Sequence, residues 1–150
     1  SHNHYMRVFF EIKKSKQTTD ALLKEHKYLL YCDKCGNHLT SKYNSSSCHQ
    51  QMSFAGPLFA GQINEIKMLS KVSKNLEYPF LKTLLNESKI NVIGFFDTHK
   101  IAKLHKCNLP RIDNIIEKVG KKNKISRVHT SPYGLKTDLS FKEFLKVFIQ

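Results

Sequence analysis

Three cysteines in the first third of the chain, Cys32, Cys35 and Cys48, have the residue types of a metal knuckle. The Cys-x-x-Cys spacing followed by Gly36 lets a tight turn aim two thiolates at one tetrahedral ion from the same side, as in half of a zinc ribbon. A structural site needs four such ligands. The second knuckle is incomplete, because Ser45 stands three residues before Cys48 and Gln51 three after it. His49 or His38 could supply a fourth donor, whereas Cys107 is too far along the chain to be assigned by spacing. On this pattern zinc and a metal-free loop of small buried thiols both stay open.

A second chemistry is offered by the stretch from Ile125 to Asp138, a β-type run and a Pro132-Tyr133-Gly134 turn carrying Arg127, His129 and Lys136. Just ahead of it lie Lys121, Lys122 and Lys124. This reads as a hairpin with a basic tip, suited to a polyanion: arginine grips phosphate bidentately and lysine acts as a point charge. Each residue also has a plainer role. Arg127 could pair with Asp138 or Asp97, His129 could be a satisfied structural histidine, and the lysines could form a solvated turn.

The elements that must position these groups follow from periodicity. Met6 to Ile12 alternates as a strand, and the chain opens almost inside it, as if cut from something longer. Ala21 to Leu30 forms a second element, strand or short helix. Tyr31 to Ser53 is polar and irregular around the cysteines, and Ala55 to Gly61 is an apolar segment bracketed by Gly and Pro, a fixed turn or short strand. Gln62 to Leu76 carries Ile63, Ile66, Leu69 and Val72 on one helical face. Tyr78 to Ser88 repeats that pattern with Phe80, Leu81, Leu84 and Leu85, and Pro79 suits a first turn. Val92 to Phe96 is a candidate strand. Asp97 or Thr98 caps a helix with Ile101, Ala102 and Leu104 inward, Pro110 to Val119 forms another, and Ser140 caps a last one with a Phe141, Phe144 and Phe148 stripe that belongs to the core. The expected fold is α+β, a small antiparallel sheet with helices, a knuckle-like cysteine loop and a winged-helix-like C-terminal part. Two lobes, 1–76 and 77–150, are expected to share one compact domain.

Composition sets the partner class. The 150 residues are 40% hydrophobic, enough to bury a core, and 25 basic against 12 acidic side chains give a net charge of +13. Only Arg7, Arg111 and Arg127 are arginine, and the cations are spread over both halves. Such an excess points to nucleic acid or an anionic surface, although lysine enrichment by compositional drift would give the same count. No apolar run approaches the roughly 20 residues needed to cross a bilayer, and Ser1 to Tyr5 has no signal-peptide character. The cysteines do not look like a secreted disulfide framework. A soluble, intracellular protein is expected, with no membrane partner.

Four segments, in order, resemble the tRNA guanine-26 N2-dimethyltransferases, specifically the domain that follows their methyltransferase core. His4-Tyr5-Met6-Arg7-Val8-Phe9 is similar to the family's His-Tyr-x-Arg-Val-Phe opening strand. Gly56-Pro57-Leu58-Phe59-Ala60-Gly61 is similar to its Gly-Pro-Leu-Trp-x-Gly segment, with Phe59 as the aromatic. Phe95-Phe96-Asp97-Thr98-His99-Lys100-Ile101-Ala102 resembles its Tyr-Tyr-Asp-x-His-x-Ile-Ala helix start. Ser126-Arg127-Val128-His129 and Gly134-Leu135-Lys136-Thr137 resemble its Ser-Arg-Thr-His and Gly-Ile-Lys-Thr signature. Family members with zinc-type knuckles have a second Cys-x-x-Cys, of which Cys48 is the second cysteine and Ser45 replaces the first.

The resemblance implies a tRNA-engaging, non-catalytic domain of an S-adenosylmethionine-dependent enzyme, which holds tRNA by phosphate contacts while a Rossmann-like N-terminal domain methylates an extruded guanine. No Gly-rich loop follows a strand in this chain, and no acid is placed to hold a ribose hydroxyl, so the methyl-donor site is expected elsewhere. Ser131-Pro132-Tyr133-Gly134 superficially matches an amino-methyltransferase motif, but joining two short basic strands it reads as a turn. The expected tRNA ligands are Arg127, His129, Lys136, Lys121, Lys122, Lys124 and Arg7, with Cys32, Cys35 and Cys48 as candidate metal ligands. Partners are tRNA and the methyltransferase domain. The alternatives are a stand-alone winged-helix or zinc-knuckle nucleic-acid-binding module, with Pro110 to Val119 in a major groove, and a scaffold that binds only its own catalytic half.

Overall fold

The structure, a computed structural model, describes residues 12–76 and 78–149. The expected strand from Met6, and Arg7 within it, therefore lie outside the described residues, apart from the exposed Ile12. The first described helix, α1 (Lys16–Lys24), starts at Ser15, whose Oγ accepts from the Thr18 N–H at 3.2 Å. It ends at Glu25, and β1 (His26–Tyr31) begins at once. The segment from Ala21 to Leu30 is thus two elements and not one: the Ser15 cap nucleates a helix that the β-type run from Lys27 onward cannot continue.

β1 is the centre of an antiparallel sheet in the order β2-β1-β3, with β2 (His38–Ser41) and β3 (Ser53–Phe59). Leu30, opposite Leu39 and Phe54, is fully buried. The β1–β3 register shifts between Lys27 and Leu29, beside Gly56, whose φ of +124° excludes most side chains and whose Cβ would meet the Lys27 carbonyl at 3.0 Å. The Gly56–Pro57 bond is cis.

The helices α2 (Ile66–Asn75) and α3 (Pro79–Ser88) pack on each other. Pro79 takes the first helical turn, as its fixed φ suits. The apolar stripe expected to face inward on α2 is only half covered. No α2 residue is buried, and Ile63 before it is 79% exposed.

The second sheet has the order β4-β6-β5, all antiparallel, with β4 (Phe96–Asp97), β5 (Ile125–Arg127) and β6 (Gly134–Thr137). The candidate strand from Val92 shrinks to Phe96–Asp97, because Gly94 turns the chain with φ +82° against the His38 ring. Asp97 accepts from the Lys100 N–H at 3.0 Å and caps α4 (Thr98–His105). α5 (Ile112–Gly120) starts two residues later than expected, with Arg111 as its cap position. Ser140 and Glu143 form a reciprocal capping box ahead of α6 (Phe141–Ile149): the Ser140 N–H donates to Glu143 at 3.0 Å and the Glu143 N–H to Ser140 Oγ at 3.4 Å.

Phe96, Ile101, Ile115, Leu135, Phe144 and Phe148 make the main core, each contributing roughly 1.5–3 kcal/mol by leaving water. A smaller cluster contains Leu30, Cys32, Cys35 and Met52, and Phe141 packs against both. The class is α+β with two small antiparallel sheets. Among the described residues no helix is long and apolar enough to cross a membrane.

Candidate functional site

The cysteine loop is built by backbone bonds that precede any metal. The Gly36 N–H donates to the Cys32 carbonyl at 2.8 Å and the Cys32 N–H to the Asn37 carbonyl at 2.8 Å, closing a turn in which Gly36 takes φ +81°. A second tight turn, closed by Cys48 N–H to Gln50 carbonyl at 3.0 Å, presents Cys48 and His49. The turns bring Cys32, Cys35, Cys48 and His49 together, with one donor atom from each within 4.8 Å of the others. Cys35 Sγ lies 3.8 Å from Cys48 Sγ, and His49 Nδ1 lies 3.8 Å from Cys32 Sγ and 3.2 Å from Cys48 Sγ.

These separations fit one ion. A tetrahedral zinc with bonds of about 2.3 Å to sulfur and 2.0 Å to nitrogen spaces its ligands roughly 3.5–3.8 Å apart. The sulfur separation is far beyond the roughly 2.05 Å of a disulfide, and all four cysteines are free thiols. Three thiolates and one imidazole are the donor set of a closed structural zinc site. Of the two histidines, His49 joins the cluster. His38 instead packs on Phe96 with ring centroids 4.5 Å apart, where burial lowers its pKa. Cys107 packs against the main core. The knuckle is tied to the helical part by His105 Nε2, 2.8 Å from the Cys35 carbonyl, and Gly36 faces Ile101 and Leu104 of α4.

The basic residues of the second sheet divide into three environments. Lys121, Lys122 and Lys124 are exposed on the α5–β5 turn. Lys121 makes a loose i,i+4 pair with Glu117 at 3.8 Å, and the turn is closed by Asp138, which accepts from the Lys124 N–H at 3.0 Å. Arg127 reaches neither Asp138 nor Asp97. It donates to Asp113 of α5 at 2.8 Å, in an ion pair with both side chains substantially exposed. Such a pair is worth about 0–1 kcal/mol.

His129 and Lys136 meet a residue that sequence reasoning did not single out. Glu87, in the last turn of α3 and only 7% exposed, accepts from the His129 N–H at 3.0 Å, and its other oxygen lies 2.5 Å from His129 Nδ1. Nothing in the sequence distinguishes this glutamate from a solvated helix residue, because its partner lies 42 positions away. Lys136 is half-buried in β6, and burial lowers its pKa against the opposing pull of the Glu87 charge. His129, Lys136 and Glu87 line a cleft of about 630 Å³ reaching to Phe59 and Gly61 of the Gly-Pro segment. A neighbouring cleft of about 470 Å³ joins His129 and Arg127 to Phe80. Lys124 and Arg127 line a further cleft of about 460 Å³ between α3, α5 and β5.

Three comparisons bear on this arrangement. Residues 1–149 match the family model described as N2,N2-dimethylguanosine tRNA methyltransferase. The chain is 29% identical to the tRNA (guanine(26)-N(2))-dimethyltransferase of Methanobrevibacter smithii over 98% of its own length and 42% of the relative's. It is 27% identical to the enzyme of the same name from Methanocaldococcus jannaschii, over 99% of the chain and 41% of the relative. Among solved structures, Trm1 from Pyrococcus horikoshii, in complex with S-adenosyl-L-methionine, superposes with a TM-score of 0.71 and 23% identity, over 92% of this chain and 39% of that one. The chain spans about two fifths of the length of the curated relatives it matches.

Proposed function

This chain belongs to the N2,N2-dimethylguanosine tRNA methyltransferase family, and we propose that it is the tRNA-gripping, non-catalytic part of a tRNA guanine-26 N2-methyltransferase. The observation that carries the reading is the exposed lysine turn, Lys121, Lys122 and Lys124, of which Lys124 lines one cleft together with Arg127. Phosphate contacts of this kind fix the register of a folded RNA without reading its sequence. A firm grip is what extrusion of a stacked guanine requires, because unstacking costs a few kcal/mol that the bound phosphates must offset.

The methyl donor, S-adenosylmethionine, supplies the methyl group when bound, and the described residues do not fit it. Both sheets are antiparallel, and the β4–α4 junction is Asp97-Thr98, without the glycines that let a backbone approach such a cofactor. We assign the donor to a separate methyltransferase domain, which we take as the second partner of this chain. The succession α3, β4, α4, α5 and the β5–β6 hairpin supports reading residues 77–150 as winged-helix-like, with residues 1–76 as a knuckle lobe joined to them through Phe141 and the His105–Cys35 contact. In that lobe Cys32, Cys35, Cys48 and His49 would hold a structural zinc, which would pin the loop between β2 and β3.

The test is a titration of the chain against folded tRNA and duplex DNA of equal charge at two salt concentrations. The reading expects a preference for tRNA that survives higher salt. Replacing Lys121, Lys122 and Lys124 with alanine should weaken binding and lower the salt slope by about one for each phosphate no longer neutralised. Equal, steeply salt-sensitive binding to both polymers would overturn the tRNA reading and leave a nonspecific polyanion binder.

A further inference from the structure

We infer that the cleft between the start of α3 and the β5–β6 loop takes one unpaired nucleotide of RNA, with its base against the Phe80 ring and its phosphate on Arg127. The inference rests on the RNA-binding reading above and names a site within it. Phe80 lies in the first turn of α3 and is 53% exposed, whereas Phe96, Phe144 and Phe148 of the core are at most 4% exposed. A single exposed phenylalanine is ordinary. What sets this one apart is its company.

The His129 ring meets Phe80 edge-on, with centroids 5.5 Å apart and planes at 86°. Glu87 fixes that imidazole through both its main-chain N–H and Nδ1. Nε2 is then the ring atom with no partner among the described residues, available to the edge of a base. Arg127, Thr130 and Ser131 line the same cleft, whose volume of about 470 Å³ falls in the range of small-molecule sites, about 300–1,000 Å³. An aromatic face, a held hydrogen-bonding ring and a cation at one cleft form the combination that single-stranded nucleic-acid sites use, stacking for the base and charge for the backbone. Among the described residues Arg127 is engaged only by the exposed Asp113, so a phosphate can displace it at little cost.

Stacking and charge separate experimentally, because only charge responds to salt. Anisotropy titrations of the whole chain would use a single-stranded RNA hexanucleotide and an abasic backbone of the same length and charge. The expected result is tighter binding of the hexanucleotide. Phe80→Leu, which keeps apolar volume but removes the π face, should abolish that advantage with a loss of about 5- to 150-fold. The loss should be the same at both salt concentrations and absent for the abasic strand, and Phe80→Tyr should restore binding. Equal affinity of the wild-type chain for the two strands, or a Phe80→Leu variant that keeps the advantage, overturns the inference. Either result alongside an intact preference for folded tRNA leaves the proposed function standing. Loss of that preference in the wild-type chain would sink the function itself.

Discussion

Glu87→Ala is the substitution whose cost the structure defines most closely. The carboxylate is 7% exposed and receives two hydrogen bonds from His129, one from the main-chain N–H and one from Nδ1. Bonds to a charged acceptor contribute roughly 1.5–3 kcal/mol each. Because the His129 side chain is 34% exposed, water can re-solvate part of the ring, and the lower end applies to both. That gives about 3 kcal/mol, from which the better helix propensity of alanine subtracts a few tenths. The expected net loss is about 2–3 kcal/mol. With a urea slope of roughly 2 kcal/mol/M, the midpoint should fall by about 1–1.5 M with the slope unchanged. Glu87→Gln should cost less, about 1 kcal/mol, because its amide oxygen still accepts from the N–H while the NH₂ can donate to the other imidazole tautomer. His129→Ala removes the ring but not the main-chain N–H, so a double-mutant cycle with Glu87→Ala should show coupling of about 1 kcal/mol or more. A loss below about 0.5 kcal/mol for Glu87→Ala, with additive single mutants, would refute the view that this pair ties α3 to the hairpin.

Metal analysis of the purified chain should find one zinc. Cys48→Ser or His49→Ala should lower its retention, Cys107→Ser should not, and chelation should lower the melting temperature; equal retention in all variants would refute the assigned ligands. Leu135→Ala, at a fully buried position of β6, should cost about 2–5 kcal/mol in chemical denaturation. Ser140→Ala should cost about 1 kcal/mol by removing the α6 cap. Hydrogen bonds from the Ser140 hydroxyl and N–H lower the Glu143 pKa below its ordinary 4.5. That contribution is therefore present above 4.5 and is lost as pH falls through the lowered value, so Glu143→Gln should flatten the acid limb of the stability profile.

Much of the helical architecture was legible because its signals are local. Pro79 at a first turn, Asp97 as a cap, and Ser140 with Glu143 three residues on each specify a boundary from neighbours within one turn. The cysteine loop was legible to the level of ligand type and no further. His38 and His49 flank the cysteines alike in sequence, and only the pairing of His38 opposite Tyr31 in the first sheet sends it to Phe96 and leaves the metal position to His49. Boundaries failed where two weak tendencies meet, as between α1 and β1, where the Ser15 cap lies six residues before the start of the segment read as one element.

The interactions that decide what the hairpin cations do were illegible, because each is made across a long chain separation. For Arg127, a candidate tRNA ligand, the sequence offers Asp138 or Asp97 as the plainer alternative partner, yet the packing of α5 beside β5 supplies Asp113. His129 was a candidate phosphate ligand, yet the return of the hairpin over α3 gives it Glu87. This changes the chemistry assigned to each charge. On the proposed reading, a histidine held by a buried carboxylate is a poor mobile phosphate ligand but a well-fixed edge for a base, and an arginine whose partner among the described residues is the exposed Asp113 stays free to take a phosphate. Lys136, half-buried and facing the same carboxylate, is committed to the cleft and not to the outer face. On the proposed reading, long-range electrostatic attraction therefore falls to Lys121, Lys122 and Lys124, whose side chains no buried acid among the described residues claims. On the proposed reading, the labour is divided between the outer α5–β5 turn, which would attract RNA, and an inner pair of clefts that would discriminate among the groups it presents.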